Sequence, residues 1–189
     1  MKSFSKLKSI WVTSWLVLFF VIGAMGSASA LCLQPELEGE WVAHPDRSVL
    51  PELNIRFVCQ DQVLNGELYP PGPPFYMHAY GSCVPTHCDW GEVGAERDGD
   101  WIVAVYEQGF ATKTVWAKMS SVYPGELYVW IYVNYHDGRT DRTSSGYFIR
   151  RSQSCIDNCG AMAPDGCWCD SYCESYGDCC VDKSQECGP

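Results

Sequence analysis

Glu126-Leu127-Tyr128-Val129-Trp130-Ile131-Tyr132-Val133-Asn134-Tyr135-His136 alternates without a break. Leu127, Val129, Ile131, Val133 and Tyr135 share one face; Tyr128, Trp130, Tyr132, Asn134 and His136 share the other. A period of two over this length belongs to a strand with two different environments, because helical apolar residues would return every three or four positions. Residues 110–120 read as its partner, joined through residues 121–125, where Pro124-Gly125 is a turn signal. The two runs predict a β-hairpin.

Working outward, further runs with strand character cover residues 40–43, 53–59, 63–69, 75–80, 101–108 and 146–150. Between them fall Pro70-Pro71-Gly72-Pro73-Pro74, Arg97-Asp98-Gly99-Asp100 and Asp137-Gly138-Arg139, all of them turn chemistry. Seven or eight short strands at this spacing predict an all-β domain over residues 31–150, an antiparallel β-barrel or a sandwich. Gly39-Glu40-Trp41 is similar to the Gly-x-Trp opening of lipocalin- and avidin-type barrels, which inclines the reading slightly to the barrel. About 120 residues is a typical single-domain size, with volume for a true core. Cys32 precedes the first strand and Cys59 ends the second, while Cys83 and Cys88 enclose a four-residue loop. The economical pairing is Cys32–Cys59 with Cys83–Cys88, one of three available. Cys83-Val84-Pro85-Thr86-His87-Cys88-Asp89-Trp90-Gly91 resembles a segment of uncharacterised secreted bacterial β-domains, a resemblance that implies no function.

The other eight of the twelve cysteines crowd into the last thirty-five residues, as C-x3-C-x7-C-x-C-x3-C-x5-CC-x6-C. They are Cys155, Cys159, Cys167, Cys169, Cys173, Cys179, Cys180 and Cys187. A segment this short cannot bury enough apolar surface to fold alone, so the sulfurs must supply the fold. Zinc sites favour C-x2-C knuckles, and none occurs here. Disulfides are the reading, no metal is expected, and spacing leaves the pairing open. Residues 151–154 are a short polar joint before this knot.

The run from Cys167 to Cys187 resembles the somatomedin B domain, found in vitronectin and in the extracellular nucleotide pyrophosphatase/phosphodiesterases. The resemblance covers residues 155–187, under a fifth of the chain. It implies that all eight cysteines are bridged, as Cys155–Cys169, Cys159–Cys187, Cys167–Cys180 and Cys173–Cys179. A single helical turn is implied between the fifth and sixth cysteines. The resemblance further implies protein binding rather than catalysis, through that turn and an adjoining acid. Carried over by position, the partner-binding residues are Asp170, Tyr172, Ser175 and Tyr176. Asp170 and Tyr176 keep the vitronectin residue types, whereas Tyr172 replaces a leucine and Ser175 a tyrosine. The loop over residues 160–166 is two residues shorter than vitronectin's. Vitronectin's own partners are therefore not carried over, and the competing reading of the tail is a stabilising cap.

At the other end, Lys2, Lys6 and Lys8 precede a nearly continuous apolar run over residues 10–25, followed by Ala28-Ser29-Ala30. This is the pattern of a cleaved signal peptide over residues 1–30. No other stretch is long enough to span a bilayer, so a secreted product without stable membrane insertion is expected, periplasmic or cell-surface if bacterial. Disulfides persist in that compartment. Without those lysines, ten Lys and Arg face twenty-three Asp and Glu, a net charge of −13. Such a surface repels phosphate backbones, which excludes nucleic acid as a partner, and favours basic protein patches or cations.

Signs of catalysis are few. The four histidines are His44, His78, His87 and His136. A site could be drawn from His87 with Asp89, or from His78 with His136 if their strands adjoin, but no metal-binding spacing requires either. There is no G-x-S-x-G elbow, and disulfides remove cysteine nucleophiles. Asp98 and Asp100 flank a glycine turn. Neither an enzyme nor a cofactor is expected. The aromatic face is more informative. Tyr128, Trp130 and Tyr132, with Trp116 from the paired strand, either pack across strands or form a ligand-binding platform for a sugar or protein partner.

Together these features predict an all-β domain followed by a disulfide knot with one helical turn, in a non-enzymatic binding protein. Another extracellular protein is the expected partner of the knot. A carbohydrate- or small-ligand-binding β-domain, with the knot as a cap, is the alternative.

Overall fold

The computed structural model describes residues 32–44 and 50–188. The signal-peptide reading at residues 1–30 and the expected mature start at Leu31 lie outside the described residues. What is described belongs to one compact unit, Cys32–Pro189.

Ten strands follow in order: β1 (Gly39–Ala43), β2 (Glu52–Phe57), β3 (Gln62–Leu64), β4 (Glu67–Tyr69), β5 (Phe75–Gly81), β6 (Cys88–Asp98), β7 (Trp101–Glu107), β8 (Ala111–Met119), β9 (Leu127–Tyr135) and β10 (Arg142–Arg150). Eight close an antiparallel barrel in the order β1-β10-β9-β8-β7-β6-β5-β2. The fold is the barrel and not the sandwich because β1 pairs with both β10 and β2, which leaves no free edge. The expected hairpin is β8–β9, paired from Ala111 opposite Tyr135 to Met119 opposite Leu127.

Three strand expectations need correction. Residues 63–69 are not one strand but the hairpin β3–β4, because Asn65 and Gly66 both adopt positive φ and turn the chain. β6 was not expected as a strand at all. Its sequence carries four acids and two glycines, and of its residues only Ala95 is buried, so pairing with β5 and β7 imposes the conformation. β10 begins at Arg142 rather than at residue 146, since Thr143, Ser144 and Ser145 pair with β9 while facing solvent.

An eight-stranded barrel is just wide enough for side chains to fill. Trp41, Leu53, Phe75, Met77, Leu127 and Phe148 are fully buried and occupy the interior, so the barrel holds a core and not a lumen. Burying each of them stabilises the fold by roughly 1.5–3 kcal/mol. One charged side chain takes part. Lys113 lies on the inward face of β8, in phase with Ala111, Val115 and Ala117.

At the end of the barrel where β10 finishes, the Trp41 indole N–H donates to Leu37 O at 3.0 Å. Arg150 stacks over the same ring at 4.5 Å and donates to Glu38 O at 3.0 Å and Glu36 O at 2.5 Å. The chain then enters a 3-10 turn, Arg151–Gln153. Arg151 reaches Glu52 of β2 at 3.4 Å and Asp157 of the knot at 2.9 Å. Behind it the buried Asp182 accepts from Ser154 Oγ at 2.5 Å and from the Cys155 N–H at 3.0 Å. Residues 151–154 are thus held by hydrogen bonds and ion pairs from both sides.

All twelve cysteines are bridged: Cys32–Cys59 and Cys83–Cys88 in the barrel, and Cys155–Cys169, Cys159–Cys187, Cys167–Cys180 and Cys173–Cys179 in the knot. The knot's core is little more than sulfur, namely Cys155, Cys169 and Cys180 around Ala163. A helical turn, Cys173–Tyr176, lies between the fifth and sixth cysteines, and a second turn, Lys183–Glu186, was not expected. Six disulfides are typical of proteins in oxidising, extracellular compartments. Among the described residues no helix is long and apolar enough to cross a membrane.

Candidate functional site

The knot gathers three of its four candidate residues at one groove of about 510 Å³, lined by Trp168, Asp170, Tyr172, Cys173, Tyr176 and Asp178. The turn Cys173–Tyr176 is fastened by the Cys173–Cys179 bridge beneath it. Asp170 Oδ1 accepts from the Tyr172 and Cys173 N–H groups, both at 2.9 Å, and so caps the turn. One carboxylate oxygen thus serves the fold. Tyr172 and Tyr176 are 69% and 80% exposed, so their rings add little to the knot's core. Ser175 is exposed on the same turn but does not line the groove.

Trp168 and Asp178 were not among the expected residues. In Cys167-Trp168-Cys169 the two cysteines turn into the knot, so an extended backbone must aim Trp168 outward. It bridges Met162 on one side and Cys179 on the other, and stays 37% exposed. That C-W-C alternation was the available signal.

Charge around the groove is one-sided. Residues 155–188 carry Asp157, Asp165, Asp170, Glu174, Asp178, Asp182 and Glu186 against a single cation, Lys183. Lys183 is only 6% exposed and faces Glu174 at 3.7 Å, so its charge does not reach the groove.

On the barrel, the candidate aromatics all face outward, opposite the buried Leu127, Val129 and Ile131. Trp116 sits directly across from Trp130, with ring centroids 4.5 Å apart and planes tilted by 47°. Tyr128 belongs to a separate cluster with Trp101 and Tyr147. Tyr132 is committed locally, for its hydroxyl donates to Asp141 Oδ2 at 2.6 Å. That bond raises the Tyr132 pKa and, with the Asn134 amide and the Tyr135 N–H, lowers that of Asp141.

The histidines do not converge. His78 meets Asp89 at 2.5 Å rather than His136, because β5 and β9 are not neighbours. The Gly91 N–H and His78 together hold the Asp89 carboxyl below its ordinary range. His136 contacts Thr112 at 3.0 Å and Gly109 O at 3.2 Å, and His87 lies in the exposed Cys83–Cys88 loop. Among the described residues, the metal-capable groups that come together are Cys155, Cys169 and Cys180, and Cys32, Cys59 and Asp61. Their sulfurs are already joined in disulfides.

No protein-family model, curated protein or solved structure matches the chain. Its chemistry has to be read from its own side chains.

Proposed function

We propose that the chain is an exported, non-enzymatic binding protein that engages another extracellular or cell-surface protein through its C-terminal knot, a somatomedin-B-like domain. The observation that carries this reading is the groove of Trp168, Asp170, Tyr172, Tyr176 and Asp178. Exposed Trp and Tyr rings are the residues most often found at binding hot spots. Here a disulfide fixes the backbone beneath them, so little ordering entropy remains to be lost on association. Two carboxylates at the rim, with no cation among the described lining residues, favour a basic partner surface reached by electrostatic steering. The resemblance of the cysteine spacing to somatomedin B domains supports protein recognition in particular.

The test is a pull-down from extracellular fluid with the full exported chain, beside its Tyr172→Ala/Tyr176→Ala variant with all six bridges verified by mass. A partner eluted by moderate salt and lost from the variant is the expected result. Equal recovery by both proteins would exclude this surface. A second reading, a carbohydrate-binding barrel, is favoured by the outward Trp116–Trp130 pair. A glycan array probed with the native chain and with Trp130→Ala addresses it.

A further inference from the structure

The barrel end away from the knot holds a cavity of about 440 Å³, lined in part by Gly81, the Cys83–Cys88 bridge, Trp90, Gln108, Phe110 and Lys113. Lys113 supplies its only lining cation and is 9% exposed. Its neighbours in register are Tyr106 on β7 and Val133 on β9. The Trp90 ring covers the ammonium at 3.5 Å, and Phe110 stands at 5.6 Å. A side chain at Gly81 would collide with the Trp90 indole, so glycine there lets the indole lie across the cavity wall.

Among the described residues the ammonium has no counter-charge within ion-pair distance. Asp89 is held by His78 and the Gly91 N–H, Glu107 bonds to Thr112, and His136 bonds to Thr112 and Gly109. Tyr106 donates to Met77 O, and Arg139 pairs with Asp137. None of the described hydrogen bonds or ion pairs includes Lys113 Nζ. Burial pushes its pKa down to about 8. A buried charge without a partner is an unfavourable arrangement that an anion relieves.

We infer that this mouth is a binding site for a small monocarboxylate with a flat apolar body, its carboxylate on Lys113 Nζ and its body between Trp90 and Phe110. One cation matches one negative charge. Phosphates and dicarboxylates are disfavoured by Asp89 in the lining and by the acidity of the whole chain. Apolar walls with a few convergent polar groups are the usual make-up of a small-ligand site. The site is independent of the knot groove.

The experiment is calorimetric titration of the full exported chain with benzoate, with benzyl alcohol and inorganic phosphate as comparison probes. Saturable benzoate binding is expected, weakened about 10- to 100-fold in Lys113→Met, the range for one charge-assisted hydrogen bond. Benzyl alcohol, which has the ring without the charge, and phosphate should bind more weakly by a similar factor. Binding at pH 8.5 should also take up a proton, seen as heat that varies with the buffer, because a bound carboxylate raises the lysine pKa. If Lys113→Met does not fold, that proton uptake and weaker binding by Phe110→Ala at the rim decide the matter. No benzoate binding, equal binding by a folded Lys113→Met, or binding without proton uptake at pH 8.5 overturns the inference.

Discussion

Replacing Lys113 with methionine should stabilise the protein, by an amount that depends on pH. Methionine keeps an unbranched stem in the barrel wall and removes only the ammonium. The folded-state pKa of about 8 lies below the ordinary 10.5. Below pH 8 the lysine is charged in both states, and the folded state bears the full penalty of burying it. Between pH 8 and 10.5 the unfolded chain binds the extra proton, so wild-type stability rises with pH across that window. The pKa difference corresponds to about 3 kcal/mol at most. Screening by water at the mouth reduces this, and loss of the Trp90 cation–π contact offsets about 1 kcal/mol more. The variant should therefore be more stable by about 1–2 kcal/mol at pH 6.5, with the gap closing towards pH 9.5. Urea unfolding under non-reducing conditions, followed by tryptophan fluorescence at intervals from pH 6.5 to 9.5, measures it. A variant less stable at pH 6.5, or a gap that does not change with pH, would refute the reasoning.

Two contrasts test the rest of the architecture. Trp41→Ala should lower stability by about 3–5 kcal/mol, because it empties the barrel's interior and strands Arg150. Outward-facing Trp130→Ala should leave the fold intact at a loss near 1 kcal/mol, the size of one aromatic pair; both are read from denaturant melts. Asp182→Ala should cost about 1–3 kcal/mol by leaving Ser154 and the Cys155 N–H unsatisfied. It should also raise amide exchange at Cys155 and Ile156 while the barrel's exchange stays unchanged.

Most of the barrel was legible because its strands obey local rules. Residues 126–136 alternate so strictly that the two faces follow from the pattern, and Leu127, Val129 and Ile131 do point inward. β6 was illegible for the opposite reason. Its residues hold almost nothing in the core, and only the two neighbouring strands make it extended. The β3–β4 turn is legible from Asn65-Gly66 alone, for Asn-Gly is the strongest short hairpin signal. Cysteine spacing exposed the knot, yet the groove needed three dimensions, since Trp168, Asp170 and Tyr176 meet only once the bridges close.

Lys113 shows what parity alone could have revealed. In Ala111-Thr112-Lys113-Thr114-Val115-Trp116-Ala117 the apolar face reads Ala, Lys, Val, Ala, so a cation interrupts the inward row. A charge in that position calls for a counter-charge, and among the described residues the nearby acids Asp89 and Glu107 are already engaged. The knot has the reverse imbalance, with acids and aromatic rings around a groove that has no cation among its described lining residues. From Lys113 to Met119, at the other end of β8, the strand runs about 20 Å, more than twice the screening length of about 8 Å at physiological salt. The two imbalances therefore cannot neutralise each other through space. On the two proposals above, each end takes its complement from outside the chain, a basic protein surface at one and a small organic anion at the other.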